Sequence, residues 1–297
     1  VAKKISLKRI TTIKITMLTL TPSELNVPQL HQYLLGAVGP RPICFASTVD
    51  AKGNHNLAPF SFFNVFSAKP PIAIFSPNLS GRTGQAKDTH LNIKEVPECV
   101  INIVNYNMVQ QMSLASSPYE KGVSEFTKAG FTPIASELVK PMRVKESPVQ
   151  LECKVFEVKE IGNCNLVMCE IIKIHIDESI LNEHNLIDQQ KIDLIARMGG
   201  NWYCRAHGDA LFEIEKPITT IGIGFDNIPA SVKSSKILTG NNLGQLGNIE
   251  VLPTQDEVEA FHKTLSQKFS SDTEKHQYAK ALLDANKVKD AWCLLLG

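Results

Sequence analysis

The 297-residue chain carries 31 basic and 30 acidic residues, a formal net charge of +1, and no long apolar run. Such balance leaves no global field to draw it to nucleic acid or a membrane surface, and a membrane span would need about 18 consecutive apolar residues. The seven cysteines are odd in number and form no C-x-x-C pair. They read as reduced core residues of a cytoplasmic protein rather than as a disulfide framework or a zinc site.

Residues 1–20 form a ragged, basic N-terminal extension with Lys3, Lys4, Lys8, Arg9 and Lys14 and no acid before Glu24; Met17 is an alternative start. The main domain spans 21–217. It opens with a helix signalled by the capping-box spacing of Thr21 and Glu24, with Pro22 at the first helical position and Gly36 at the end. The period then changes to that of strands. "RPICFASTV" and "NLAPFSFF" flank the turn "DAKGN", whose Asp, Gly and Asn supply side-chain bonds to the backbone and positive φ. Further strands are predicted at 70–76, 98–104, 149–158 and 165–176, with helices at 88–95 and 107–117. Strands dominate without regular alternation with helices, which favours a Greek-key barrel over a parallel sheet. Residues 218–297 read as a mostly helical C-terminal appendage. Thr254 and Glu257 make a second capping box, Val258, Phe261, Leu265 and Phe269 a helical stripe, and "DTEKHQYAKALLDANKVKDAWCLLL" one further helix.

Two stretches concentrate polar chemistry. Arg41 stands between two prolines that fix the direction of its strand entry, and Ser47 and Thr48 close the same strand. "SGRTGQAKDTHLNI" adds Arg82, Lys87, Asp88 and Thr89 before a helix N-terminus, with Asp88 or Thr89 as the N-cap. Hydroxyls, free amides and basic side chains together suit a phosphate monoester. A surface arginine, ordinary turn residues and a solvated lysine account for the same residues taken singly. In "NLAPFSFFNVFS", Asn56 and Pro59 interrupt the strand ladder and leave backbone groups to face the edge of a planar ligand, although each phenylalanine by itself reads as core.

"GPRPICFASTVDAKGNHNLAPFSFFN", "KDTHLNI", "VQLECKVFEV" and "ARMGGNWY" resemble, in order and spacing, the flavin reductase-like FMN-binding split-barrel proteins of the flavoredoxin type, over roughly residues 34–215. The resemblance implies a mainly β fold, a six-stranded antiparallel Greek-key barrel with attached helices, dimerised with FMN near the subunit interface. It implies Arg41, Ser47, Thr48, Arg82, Lys87, Asp88 and Thr89 around the phosphate and ribityl chain. Asn56, Leu57, Ala58, Ser61, Phe62 and Asn64 then lie along the isoalloxazine. The implied activity is hydride transfer from NADH or NADPH to FMN and on to a flavin or other small acceptor; the alternative is an electron carrier serving a protein partner. Arg197 and Tyr203 become candidates for orienting substrate, beside Gly199, Gly200 and His207, although a Gly-Gly turn with a core Trp–Tyr pair explains this stretch equally well. Met168-Cys169-Glu170 replaces a smaller, glycine-containing element of many relatives, which would narrow or reshape the substrate side. "GIGFDN" and "GNNLGQLG" lack the third glycine and the Lys-Ser/Thr of nucleotide loops, and His175 and His184 have poor metal spacing.

Overall fold

The computed structural model describes residues 16–79, 84–120, 122–214, 217 and 219–297. Most of the basic extension and Arg82 lie outside the described residues. The chain divides into two compact units, Val1–Phe212 and Glu213–Gly297.

In the first unit the strands are β1 Cys44–Val49, β2 His55–Phe60, β3 Phe63–Ala68, β4 Pro71–Phe75, β5 Glu98–Ile103, β6 Pro133–Ile134, β7 Arg143–Val144, β8 Val149–Ile161, β9 Cys164–Ile176, β10 Leu194–Arg197 and β11 Tyr203–Ala206. Seven of them form one sheet in the order β2-β1-β5-β8-β9-β4-β3, with every pairing antiparallel. Its two outermost strands, β2 and β3, are joined by Ser61 and Phe62 alone. Two residues reach only about 10 Å, so Phe60 and Phe63, at one end of the two edge strands, lie close together and the sheet curls round into a split barrel. The seventh strand, β3, is the departure from the expected six. Its apolar run continues from β2 without a turn residue, so only tertiary closure separates the two.

The helices of this unit are α1 Val27–Ala37, α2 Asp88–Glu95, α3 Val109–Leu114, α4 Glu125–Ala129 and α5 Gln189–Ile192. α1 starts later than the Thr21 capping box predicts. Thr21 makes no side-chain cap and precedes a 3-10 turn, Pro22–Glu24, while the Asn26 side chain accepts the Gln29 amide at 2.9 Å and caps α1. β1 is buried on both faces, its polar Ser47 and Thr48 included. Cys44 and Ala46 face the barrel interior with Phe75, Ile101, Leu151 and Val167, whereas Phe45 joins Leu57, Met108, Met112, Phe126 and Phe131 under α3 and α4. Phe60 and Phe63 pack against the interior as expected of core residues, but Phe62 and Phe66 are exposed.

The second unit holds α6 Ala230–Lys233, α7 Gly240–Gly247, α8 Gln255–Thr264, α9 Asp272–Asp284 and α10 Val288–Leu296 around its own core of Ile228, Leu246, Leu283, Trp292 and Leu294. The Thr254–Glu257 capping box forms on both sides. α8 ends before Leu265 and Phe269, which still pack on this core. The single long helix expected after residue 272 is two, because Asn286 takes a left-handed φ of 57° between α9 and α10. "GIGFDN" is a packing device: a Cβ on Gly222 would lie 2.4 Å from the Gly247 carbonyl oxygen. Among the described residues no helix is long and apolar enough to cross a membrane, and all seven cysteines are free.

Candidate functional site

The β1–β2 hairpin pairs Val49 with His55 at its turn and Cys44 with Phe60 at its open end. The turn forms as its sequence dictates: Asp50 Oδ1 accepts the amides of Lys52 and Asn54 at 2.9 and 2.8 Å, and Gly53 takes φ 88°. Different groups gather at the two ends.

At the turn end α2 lies against the hairpin through buried side chains. Thr89 Oγ1 donates to Asn56 Oδ1 at 2.8 Å and Asn92 Nδ2 donates to Thr48 Oγ1 at 3.2 Å. Asn56 Nδ2 and the Leu57 amide both donate to the Glu125 carboxylate of α4, each at 3.0 Å. Ser47 Oγ donates to the Met142 carbonyl. Thr48, Thr89, Asn56, Ser47 and Leu57 are therefore framework groups, all buried and engaged with protein partners. What the network holds in place is the start of α2. Its N-cap is Lys87 rather than Asp88 or Thr89, without a side-chain cap; the His90 and Leu91 amides donate to the Lys87 carbonyl at 2.9 and 3.2 Å, which leaves the Asp88 and Thr89 amides without a partner inside the helix, beside the exposed Lys87 and half-buried Asp88.

The sequence offers no sign of Glu125, whereas Asn92 could be found from its i,i+3 spacing to Thr89. Burial pushes the Glu125 pKa above 4.5, more than the Leu57 amide and Asn56 pull it down. A carboxyl whose folded pKa is raised opposes folding once ionised: it adds nothing at pH values below 4.5 and costs increasing stability as pH rises through the folded pKa. Glu125→Gln removes that loss. The variant's unfolding free energy relative to wild type should shift in its favour as pH rises from about 4 to about 7, measured by urea denaturation at each pH; parallel pH profiles would refute this role.

At the open end stands Arg41. Its Nη1 donates to the Leu35 carbonyl at 2.9 Å and to the Val38 carbonyl, its Nη2 donates to the Met198 carbonyl at 2.9 Å, and its backbone bridges to Arg197. The side chain is buried, and burial followed by the nearby charge of Arg197 lowers its pKa. Arg41 and Thr48 are seven residues apart in extended chain, on the order of 20 Å. One phosphate cannot touch both, and the expected joint clamp is corrected on that ground. Arg41 ties the end of α1 to the β10–β11 hairpin.

The glycines of that hairpin serve the same junction. A Cβ on Gly199 would sit 3.0 Å from Gly36 Cα, and Gly200 takes φ 57°. Gly199→Ala should cost about 1–3 kcal/mol through backbone displacement, read as a lower urea midpoint; an unchanged midpoint would contradict the close approach. Beside it Arg197 lies over the Tyr203 ring, 4.6 Å from the centroid, and Arg197 Nη1 donates to the Trp202 carbonyl at 3.2 Å. Trp202 is 77 % exposed, so the expected core Trp–Tyr pair does not form. Tyr106, Val109, Gln110, Ser113, Ile195, Tyr203, Cys204 and Arg205 line a cavity of about 220 Å³. Arg205, unremarked in the sequence, is held there by two 2.7 Å bonds to Asp193 and covers the Tyr106 ring at 3.8 Å. His207 faces Asp193 at 3.8 Å.

Between the two ends runs the outer edge of β2. The Leu57 amide turns away from β1, and the alternation of an antiparallel pair then turns position 59 the same way. That position is Pro59, which has no donor, so the edge from there offers the residue-59 carbonyl and half-buried Ala58 and Ser61. Phe62, 40 % exposed, and exposed Asn64 follow. β2 is about 17 Å long. This edge therefore separates a cationic, amide-rich end from an aromatic end by a distance suited to a phosphorylated ribityl chain carrying a flat ring. Cys169, expected on the substrate side, is buried inside the barrel.

A family model described as flavin reductase like domain matches residues 37–192. An uncharacterised Aquifex aeolicus protein is 35 % identical over 192 residues, which make up 64 % of this chain and 97 % of that protein. Nitrilotriacetate monooxygenase component B from Bacillus cereus is 28 % identical with a TM-score of 0.64, over 68 % of this chain and all of that one. Pseudomonas fluorescens 2-nitrobenzoate 2-nitroreductase is 26 % identical with a TM-score of 0.61, over 69 % of this chain and all of its own. With the closed antiparallel barrel and the motif order, these likenesses identify the chain as a member of the flavin reductase like family, a flavin-related oxidoreductase of the split-barrel fold.

Proposed function

We propose that the barrel, residues 21–217, binds FMN along the outer edge of β2 and transfers hydride from NADH or NADPH to it, with a flavin or other small molecule as acceptor. The observation that carries this reading is the pairing of an uncapped α2 N-terminus and Lys87 at one end of β2 with Ser61 and Phe62 at the other. When bound, FMN supplies the two-electron chemistry; the chain binds, orients and shields. Lys87 and the Asp88 and Thr89 amides at the start of α2 hold the phosphate. Ala58, Ser61, Phe62 and Asn64 hold the ring. Arg197, preset by stacking on Tyr203, orients an anionic part of the nucleotide or acceptor. No side chain is needed as an obligate acid or base. Val65 and Phe66 of β3 are 51 % and 65 % exposed, which supports a homodimer that covers them.

Anaerobic mixing of FMN-loaded protein with NADH and then NADPH tests the reading. Bleaching of the oxidised flavin bands by either nucleotide is the expected result. Flavin reduced only by a protein donor would make this an electron carrier, and failure to retain FMN would remove the reading altogether.

A further inference from the structure

The barrel interior contains an unused set of nucleophiles. Cys99 of β5, Cys153 of β8 and Cys169 of β9 are each 0 % exposed, and their three sulfurs lie within 4.8 Å of one another. They converge because Cys99 and Cys153 are direct cross-strand partners, while a register shift in β8 brings Cys169 alongside. Ala46, Phe75, Ile101, Leu151 and Val167 belong to the same apolar cluster. Cys44 is also in it, yet its sulfur is outside the group of three.

We propose that Cys99, Cys153 and Cys169 form a tris-thiol site for trivalent arsenic or antimony, taken up as the neutral trihydroxide. Three S–H and three metalloid–OH bonds break, three metalloid–sulfur bonds form and three waters leave. The metalloid stays trivalent, no electrons move, and the product is uncharged. Charge selects this class of ligand. Three thiolates around Zn²⁺ would leave one negative charge, and around Cu⁺ two, in a core of apolar residues where an unpaired charge is costly. Zinc also wants a fourth ligand, and a disulfide would need an oxidant. Bonds of about 2.3 Å, the length of a zinc–sulfur bond, would draw the sulfurs to about 4 Å apart or less, a small contraction from the present spacing. The weak S–H bonds from Cys153 to the Leu151 carbonyl and from Cys169 to the Ala73 carbonyl, each 3.4 Å, are the contacts given up.

The test incubates folded, full-length protein with arsenite in a phosphine reductant, removes the excess, then unfolds and alkylates at once. One arsenic per chain by intact mass, with three fewer alkylated thiols than the seven in the sequence, is the expected result. Uptake should be slow, because the site opens only by local unfolding. Cys153→Ala should lose the arsenic, and Cys44→Ala should keep it. If Cys153→Ala does not fold, arsenic X-ray absorption of the wild type decides, with three sulfur neighbours expected. Seven free thiols after arsenite, loss of binding in Cys44→Ala, or retention of Zn²⁺ or Cu⁺ but not arsenic would each overturn the proposal.

Discussion

Arg41→Met is expected to destabilise the protein by about 1–3 kcal/mol, because partly buried carbonyls lose a charged donor and only some of them can turn to water. Three carbonyls, of half-buried Leu35 and Met198 and of exposed Val38, accept from this one guanidinium. Lysine cannot replace it, since one ammonium on a flexible stem does not reproduce the planar fork. The urea midpoint should fall for both variants. Under conditions where each remains folded, the ratio of FMN to riboflavin affinity should stay within about twofold of wild type, since no phosphate contact is lost. A selective loss of FMN binding at unchanged stability would return Arg41 to the cofactor.

Lys87→Glu is expected to do the opposite. The side chain is exposed, so stability should move by no more than about 0.5 kcal/mol. FMN should bind about 10- to 100-fold more weakly, because a charge-assisted bond worth about 1.5–3 kcal/mol is replaced by like-charge repulsion at the phosphate. Riboflavin, which has no phosphate, should be unaffected. Raising the salt concentration should narrow the gap between variant and wild type, as screening weakens exposed charges. Equal losses for both flavins would place the phosphate elsewhere.

These two variants divide what the sequence alone leaves joined. Arg41 and Lys87 are both basic residues beside strand or helix starts, and composition cannot tell a carbonyl clamp from an anion ligand. The difference becomes visible once the β1–β2 register converts seven residues into a distance and the α1 carbonyls appear around the guanidinium. Local chemistry, by contrast, was legible. "DAKGN" makes its turn through Asp50 and Gly53, Thr254 and Glu257 make their box, and the six strands expected from apolar periodicity are present. β3 was hidden because closure of the barrel, rather than a turn residue, separates it from β2. Glu125 was hidden because its partners, Asn56 and Leu57, are 69 and 68 residues away in the chain.

The most direct measurement of the central claim is a pair of equilibrium titrations of the wild-type protein with FMN and with riboflavin, followed by flavin fluorescence. Saturation near one FMN per chain, with FMN at least about tenfold tighter than riboflavin, is the result predicted for a phosphate held by Lys87 and the α2 amides. Equal affinity for the two flavins, or no saturable uptake of FMN, would contradict it.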